Sequence, residues 1–149
     1  VKDPLFLKNT FEKLYNQKII LVLIGNIIEN NYNFTKGMYY TGPLNQNDIT
    51  SCFYQSDGLI NTSLSEGMCI TILESMKNKC PVFARNNEGN KSIIKHLKTG
   101  YLFDNSDELE EQLKLDNNEI VKNAYDYVNK YHNNDLEKNR YIKLFKQLS

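Results

Sequence analysis

Short apolar runs alternate with amphipathic segments along the whole chain. The apolar runs predict β-strands at 19–24, 38–41, 58–61, 82–84 and 101–103. Apolar residues that recur every three or four positions predict helices at 3–16, 65–78, 93–100, 118–131 and 135–148. Two more helices are predicted, one capped by Asn45 or Asn47 and one capped by Ser106. Gly100 is the predicted C-cap of the helix at 93–100. Strands that alternate with helices predict an α/β fold, a Rossmann-like parallel sheet with flanking helices.

The first predicted strand, 19–24, is an unbroken apolar run and is therefore expected to be buried on both faces. In a parallel α/β sheet, ligands bind where the strands end at their carboxyl edge. The loops that should carry function are consequently those at 25–26, 42–44, 62–67 and 85–90.

Composition narrows the classes of partner. The 149 residues are enough for one domain, and 18 Lys and Arg residues balance 18 Asp and Glu residues. A neutral total gives no reason to expect a nucleic-acid partner or a polybasic membrane patch. The three cysteines show no CxxC spacing, and His96 and His132 share no ligand spacing, so we expect buried thiols and satisfied imidazoles rather than a metal site.

No apolar run approaches the ~18 residues of a membrane-spanning helix, and no signal peptide opens the chain. We therefore expect a cytoplasmic location. Because the chain begins with Val rather than Met, we also expect it to be a fragment.

The most informative segment, 65–76, follows a predicted strand and opens a predicted helix. Gly67 stands at the turn between them. We expect the backbone N–H groups of Gly67, Met68 and Cys69 to lie in the first helical turn and to face the cleft. With the helix dipole, they would form a site for a diphosphate or another anion.

Two carboxylates, Glu66 and Glu74, bracket this turn. With Glu74 two turns into the predicted helix, they would lie about 12 Å apart along its axis, too far for a shared proton. Two separate contacts to sugar hydroxyls fit that spacing better. Alternatively, Glu66 complements the helix dipole and Glu74 lies on a solvated helix face.

The order Glu66-Gly67-x5-Leu73-Glu74, followed by Ser-Met, resembles the Glu-x7-Glu signature of retaining glycosyltransferases of the GT-B fold, the glycosyl transferases group 1. The segments 82–86, 89–90, 93–96 and 99–103 fall where that group has its next strand, glycine loop and closing strand. The segments 1–7, 63–68 and 84–86 are similar to one subgroup, the glycosyltransferase 1 domain-containing protein 1 family.

This resemblance implies that residues 1–149 are the C-terminal, nucleotide-sugar-binding (donor) domain of a GT-B enzyme, without the first strand of that domain. It implies a hexosyltransferase that uses a nucleoside-diphosphate sugar, needs no cofactor and is metal-independent. The acceptor is unknown, and its site would belong to the missing N-terminal domain. The isolated fragment is expected to be inactive.

The resemblance also implies roles for residues in the informative segment. Glu74 matches the glutamate that binds the nucleotide ribose, and Glu66 matches the catalytic glutamate near the donor sugar. The backbone of Gly67, Met68 and Cys69 matches the turn that holds the diphosphate and sugar. Cys69 stands where many relatives have Gly, which would narrow the donor pocket and leaves the identity of the donor open.

Four further residues are candidates outside that segment. By the same resemblance, the backbone at Gly42 and Leu44 would meet the nucleobase, and Lys2 would neutralise the leaving diphosphate as a catalytic residue. The arginine that partners this lysine in the family would precede Val1. Arg85 ends a strand on the ligand side and is a candidate phosphate or sugar contact, with loop anchoring as its alternative.

Other functions remain open for this fold. Epimerases would be expected to bring carboxylates and a histidine around the cleft, but no His lies in the ligand-side loops. Phosphorylases would need a cofactor lysine, for which no position is evident. A non-catalytic nucleotide-sugar-binding or interaction module of Rossmann-like fold is the main alternative to an enzyme.

Overall fold

A computed structural model describes residues 3–26 and 34–148. A 3₁₀ helix at Pro4–Leu7 precedes twelve elements: α1 (Lys8–Tyr15), β1 (Leu21–Ile24), β2 (Met38–Gly42), α2 (Gln46–Gln55), β3 (Leu59–Asn61), α3 (Ile70–Lys77), β4 (Val82–Arg85), α4 (Glu88–Ile93), β5 (Tyr101–Phe103), α5 (Ser106–Gln112), α6 (Asn118–Tyr131) and α7 (Asn134–Leu148). The predicted alternation of strands and helices is confirmed. Throughout these residues, every helix is too short or too polar to cross a lipid bilayer.

The strands form two sheets, β1-β2 and β3-β4-β5, and every pairing is parallel. Leu21 pairs with Met38 in the first sheet, and Leu59 with Val82 in the second. In the second sheet, α3 connects β3 to β4, and α4 connects β4 to β5. Parallel neighbours require such crossovers, so the α/β class is confirmed.

Both faces of the three-stranded sheet are covered. Successive residues of a strand point to opposite faces, so each face packs into a different cluster. Val82 and Ala84 of β4 pack in a cluster with α3 and α6. Phe83, which lies between them in sequence, packs with Tyr101 and Phe103 of β5 in a second cluster that includes α1. The rings of Phe83 and Tyr101 stack with centroids 4.9 Å apart.

The prediction that the first strand is buried on both faces is wrong. Leu21 and Leu23 pack against the second cluster, but Ile20, Val22 and Ile24 are 52%, 45% and 40% exposed. The alternation of side chains carries these three to the opposite face, which no element covers within residues 3–26 and 34–148. An unbroken apolar run therefore does not reveal which of its faces is covered.

Helix boundaries depart from the sequence predictions at three points. The helix predicted at 65–78 begins only at Ile70, with Cys69 as its N-cap. Asn105, rather than Ser106, caps α5, and its Oδ1 accepts from two backbone amides of the first turn. One side chain that reaches two amides fixes that cap one residue earlier than predicted.

The third departure concerns the helix predicted to end at Gly100. Helix α4 ends at Ile93, and the chain then makes a turn in which Leu97 has a φ of 60°. Gly100 forms a β-bridge with His96 and does not cap a helix. A Cβ at position 100 would lie 3.1 Å from the Val82 carbonyl oxygen, so glycine allows the chain to approach β4.

The outer edge of β5 is occupied by side chains. The Leu102 N–H donates to His96 Nδ1 at 2.9 Å, and Gln112 Nε2 donates to the Leu102 carbonyl oxygen at 3.0 Å. Gln112 is 8% exposed, so this second bond lies largely away from solvent. The His96 ring and the Gln112 amide are therefore both hydrogen-bonded to β5. This agrees with the prediction that His96 is a satisfied imidazole.

Candidate functional site

The loops that follow β2 and β3 meet on the same side of the fold. Gln46, the first residue of α2, donates from Nε2 to Glu74 Oε1 on α3 at 3.1 Å. Each helix follows the carboxyl end of a strand, β2 for α2 and β3 for α3. This contact therefore brings the carboxyl edges of the two sheets together, as expected for a ligand site in a parallel α/β fold.

Polar groups after β3 tether Glu66. The Ser63 hydroxyl donates to Glu66 Oε1 at 2.6 Å, and the Ser63 N–H donates to Asn61 Oδ1 at 2.9 Å. Asn61 also donates to the Cys69 Sγ at 3.2 Å. Asn61 and Ser63 are only 7% and 1% exposed, so these bonds form where water competes little. The Glu66 carboxylate is thereby held at the start of the turn, and its second oxygen has no hydrogen-bond partner among the described residues.

The loop after β4 is joined to the loop after β3. Asn87 donates from Nδ2 to the Ser63 carbonyl oxygen at 2.7 Å and accepts from the Asn90 N–H at 2.9 Å. Asn90, fully buried, donates to the Arg85 carbonyl oxygen at 2.8 Å. Buried amides of this kind hold two loops in one geometry because each unmade bond would be costly.

Gly89 presses directly against the Glu66–Gly67 peptide. A Cβ at position 89 would collide with the carbonyl oxygens of Glu66 and Gly67. Both obstacles are backbone atoms, which cannot swing aside as a flexible side chain can. Glycine at this position therefore lets the start of α4 pack directly against the turn at Glu66 and Gly67.

The amides of Gly67, Met68 and Cys69 lie in a bend before α3, not in its first turn as predicted. The loop after β3 bends at 64–65 and at 67–68, and Cys69 has an extended backbone, so the helix begins only at Ile70. Within the described chain, these three amides donate to no protein acceptor, and Cys69 gives α3 no side-chain cap. Gly67 and Met68 are exposed, and their unpaired N–H groups lie in the bend that leads into α3.

Glu74 is the fifth residue of α3, so it lies one turn into the helix rather than two. Its side chain is half-buried and is directed to the start of α2 by the bond from Gln46. Among the described residues, Glu74 Oε2 accepts no hydrogen bond and the carboxylate forms no ion pair. The bond from Gln46 is itself exposed, so both a ligand contact and a position on a solvated helix face stay predictions for Glu74.

Arg85 is engaged by the N-terminal segment. Its Nη1 lies 3.2 Å from Asp3 Oδ2, and its guanidinium lies 4.3 Å from the centre of the Phe6 ring. Asp3 also caps the 3₁₀ helix by accepting from the Phe6 N–H. The arrangement matches the alternative role of loop anchoring, and a contact from Arg85 to a ligand stays a prediction.

Gly42 and Leu44 lie at the end of β2, beside Gln46. Gly42 has a φ of 78°, which favours glycine, and a Cβ there would meet no atom within 4 Å. Leu44 is half-buried. Their predicted backbone contact with a base stays a prediction. Lys2 lies outside the described residues.

The described residues contain no cluster of side chains that could bind a metal ion. Over residues 3–26 and 34–148, no three His, Cys, Asp or Glu side chains are arranged to hold an ion. Cys69 and Cys80 are buried and Cys52 is half-buried, all as free thiols. His132 ends α6 and packs near the Tyr127 ring. Metal independence itself stays a prediction.

The comparisons with known proteins identify the family. Residues 1–138 match the family model of glycosyl transferases group 1. The chain belongs to this family. Glycosyltransferase 1 domain-containing protein 1 of Xenopus tropicalis, a curated relative, is 37% identical over an alignment that covers 99% of this chain and 48% of the relative. The chain thus spans about half the length of this group 1 relative.

Solved structures of glycosyltransferases share the fold. Anabaena HepE, in complex with UDP and glucose, superposes with a TM-score of 0.81 at 18% identity, covering 97% of this chain and 46% of HepE. Sucrose-phosphate synthase of Thermosynechococcus elongatus gives 0.78 at 17% identity, covering 98% of this chain and 43% of that enzyme. These likenesses confirm the predicted Rossmann-like glycosyltransferase fold for this group 1 chain.

Sequence reasoning missed four residues that organise the site: Gln46, Asn61, Ser63 and Asn87. Two of them, Ser63 and Asn87, lie in loops that the sequence singled out, but the pairing between those loops is non-local. Gln46 gave no signal because it forms part of an ordinary polar helix start. The usable hint was the run of polar residues at 61–63, which begins at the last residue of β3.

Proposed function

We propose that the chain is the donor-binding domain of a retaining glycosyltransferase that moves a hexosyl group from a nucleoside-diphosphate sugar to an acceptor. One observation carries the proposal: the unpaired amides of Gly67, Met68 and Cys69 lie between two glutamates that hydrogen bonds hold in position. Family membership supports the class of reaction. HepE, which shares the fold, has been solved with UDP-glucose.

The proposed role of the turn is electrostatic. Unpaired N–H groups at a helix N-terminus attract anions, and α3 adds its dipole to them. As the bond from sugar to diphosphate breaks, negative charge grows on the leaving phosphate. Donors that are already fixed in position stabilise this charge without reorganising, which is the largest contribution expected for such a reaction.

Glu74 and Glu66 would bind the two sugars of the donor. Glu74 has an oxygen with no partner among the described residues and would accept from the ribose hydroxyls. Glu66, tethered by Ser63, would lie beside the transferred hexose. Gly42 and Leu44 would meet the nucleobase through their backbone, next to the contact between Gln46 and Glu74.

Two cations complete the proposal. Lys2 would neutralise the leaving diphosphate. Arg85 would reach the donor only if its ion pair with Asp3 opened, so its geometry favours anchoring of the N-terminal segment. The reaction would need no metal or cofactor. The acceptor, which is unidentified, would bind to another part of a cytoplasmic protein, and the isolated chain would be inactive.

Titration calorimetry of the complete protein with UDP-glucose and GDP-mannose tests the donor site. We expect saturable binding to one of them, and Glu74→Ala should weaken it about tenfold or more, since a charged hydrogen bond is lost. Glu111→Ala, on the exposed surface of α5, is the matched control and should bind normally. Equal affinities in wild type and Glu74→Ala would remove the ribose role.

The stereochemistry of the reaction is tested separately. NMR of the sugar released or transferred from an α-linked donor should show the α-anomer first. Appearance of the β-anomer first would contradict a retaining mechanism. Binding without turnover in the complete protein would instead favour the non-catalytic alternative.

A further inference from the structure

Beyond the two glutamates, the geometry points to Gln46 as a positioning residue: we propose that it orients the Glu74 carboxylate for the ribose hydroxyls of the donor. This inference rests on the proposed function. Gln46 Nε2 lies 3.1 Å from Glu74 Oε1, although the two residues are 28 positions apart in sequence. The bond crosses from the helix after β2 to the helix after β3.

The backbone of Gln46 is fixed by the start of α2. Asn45 caps this helix by accepting from the Asp48 N–H at 3.0 Å, and Asn45 Nδ2 donates to Asp48 Oδ2 at 2.6 Å. The Thr50 hydroxyl donates to the Gln46 carbonyl oxygen at 2.9 Å. A capped first turn has little freedom, so the Gln46 side chain leaves from a defined position.

The chemistry of an amide suits this role. A glutamine N–H donates to one oxygen of Glu74 and leaves the carboxylate its charge and its other lone pairs. A lysine here would instead neutralise Glu74 and compete with hydroxyl donors. Among the described residues, Lys77 on α3 makes no ion pair with Glu74, and the Asp48 carboxylate is already engaged by Asn45. Gln46 is thus the partner that sets the orientation of Glu74.

A positioning role saves the cost of ordering a flexible carboxylate when the donor binds. A free glutamate samples several rotamers, and each one lost on binding weakens affinity. A hydrogen bond that preselects one rotamer removes part of this loss. Because the bond is exposed, we expect Gln46→Leu to weaken donor binding by about three- to tenfold and not to abolish it.

The decisive variant is Gln46→Glu, measured in the complete protein with UDP-glucose and GDP-mannose. At pH 8 it would set two carboxylates against each other, and donor affinity should fall by about tenfold or more. Near pH 5, one shared proton would restore a donor between them and much of the affinity. The wild-type affinity should change far less between these pH values, and Gln55→Glu, at the exposed far end of α2, should behave like wild type.

The outcomes distinguish a failure of the proposed donor binding from a failure of the positioning role of Gln46. If wild type binds neither nucleotide sugar, the proposed function fails, and the role of Gln46 fails with it. If wild type binds and Gln46→Glu binds equally well at pH 8, or is weakened equally at both pH values, only the positioning role is overturned. A melting temperature unchanged from wild type excludes misfolding as the reason for lost affinity.

Discussion

The three-stranded sheet and the two-stranded sheet have similar strands but different surroundings. In β3–β5, both faces are packed, and Val82, Phe83 and Ala84 are all at most 1% exposed. In β1–β2, one face packs against the second cluster and the other leaves Val22 and Ile24 exposed. The same kind of apolar strand is therefore a core element in one half of the molecule and a half-covered surface in the other.

The two halves also contribute differently to the site. The β3–β5 half supplies a polar network of the buried Asn61 and Ser63 and the half-buried Asn87, and this network fixes the turn at Glu66 and Gly67. The β1–β2 half supplies the loop from Gly42 to the start of α2, whose contact with Glu74 is exposed. The part of the site proposed for the diphosphate is thus held more firmly than the part proposed for the nucleoside.

The largest effect that tests this contrast comes from one substitution made in each half. Ile72 is fully buried beneath β4, so Ile72→Ala should lower the free energy of unfolding by about 2–5 kcal/mol. Ile24 is 40% exposed, and Ile24→Ala should cost about 1 kcal/mol or less. Chemical denaturation measures both. An equal cost at the two positions would mean that the open face of β1 is covered in solution.

A backbone contact provides the next effect. Gly89→Ala adds a Cβ where the carbonyl oxygens of Glu66 and Gly67 already lie, so it should cost about 1–3 kcal/mol and weaken donor binding. Gly67→Ala has open space around its added Cβ and should leave stability unchanged. Thermal denaturation compares the two variants. A Gly89→Ala protein as stable as wild type would show that the start of α4 does not pack tightly against the turn at Glu66 and Gly67.

The anchor of the N-terminal segment should contribute less. The ion pair between Arg85 and Asp3 is partly exposed, and with the Phe6 ring contact its removal in Arg85→Ala should cost about 1 kcal/mol. A double-mutant cycle with Asp3→Asn should reveal positive coupling between the two. If Arg85→Ala instead leaves stability intact and weakens donor binding, Arg85 is a ligand contact rather than an anchor.

The smallest effect is confined to alkaline solution. Burial, and secondarily the charge of Asp116, raises the pKa of Tyr101 above 10.0. The folded protein therefore holds this proton to a higher pH than the unfolded chain, so the stabilisation present below about pH 10 is lost as the pH rises further. Tyr101→Phe should show a smaller loss of stability between pH 9 and pH 11. An identical loss in both proteins would contradict the raised pKa.

Local signals in the sequence predicted most of the fold. The strand at Tyr101–Phe103 and the helix at Asn118–Tyr131 were predicted at their observed positions, and Asn45, the cap of α2, was one of the two caps predicted for that helix. Capping side chains and periodic apolar residues act over a few positions, so a sequence pattern is enough to find them. The α/β class follows from the order of the elements alone.

Features that depend on distant residues were not predicted. Whether β1 is covered on one face or on both depends on which elements reach it, and no local pattern encodes this. The loop before α3 is held by a bond from Ser63 to Glu66 and by a bond from Asn87 to Ser63, and the second of these joins two loops that no local pattern connects. Likewise, the prediction that Glu66 and Glu74 bracket a turn gave no hint that Ser63 and Gln46 would hold them.

The hydrogen bonds at Leu102 have a consequence for contacts at the outer edge of the three-stranded sheet. β5 is the outer strand of its sheet, and an outer strand whose N–H and C=O groups face solvent is a template for aggregation. His96 and Gln112 consume the N–H and the C=O of Leu102 from outside. A strand from a neighbouring copy would have to displace both side chains before it could add to this edge. We therefore expect His96 and Gln112 to disfavour self-association through β5.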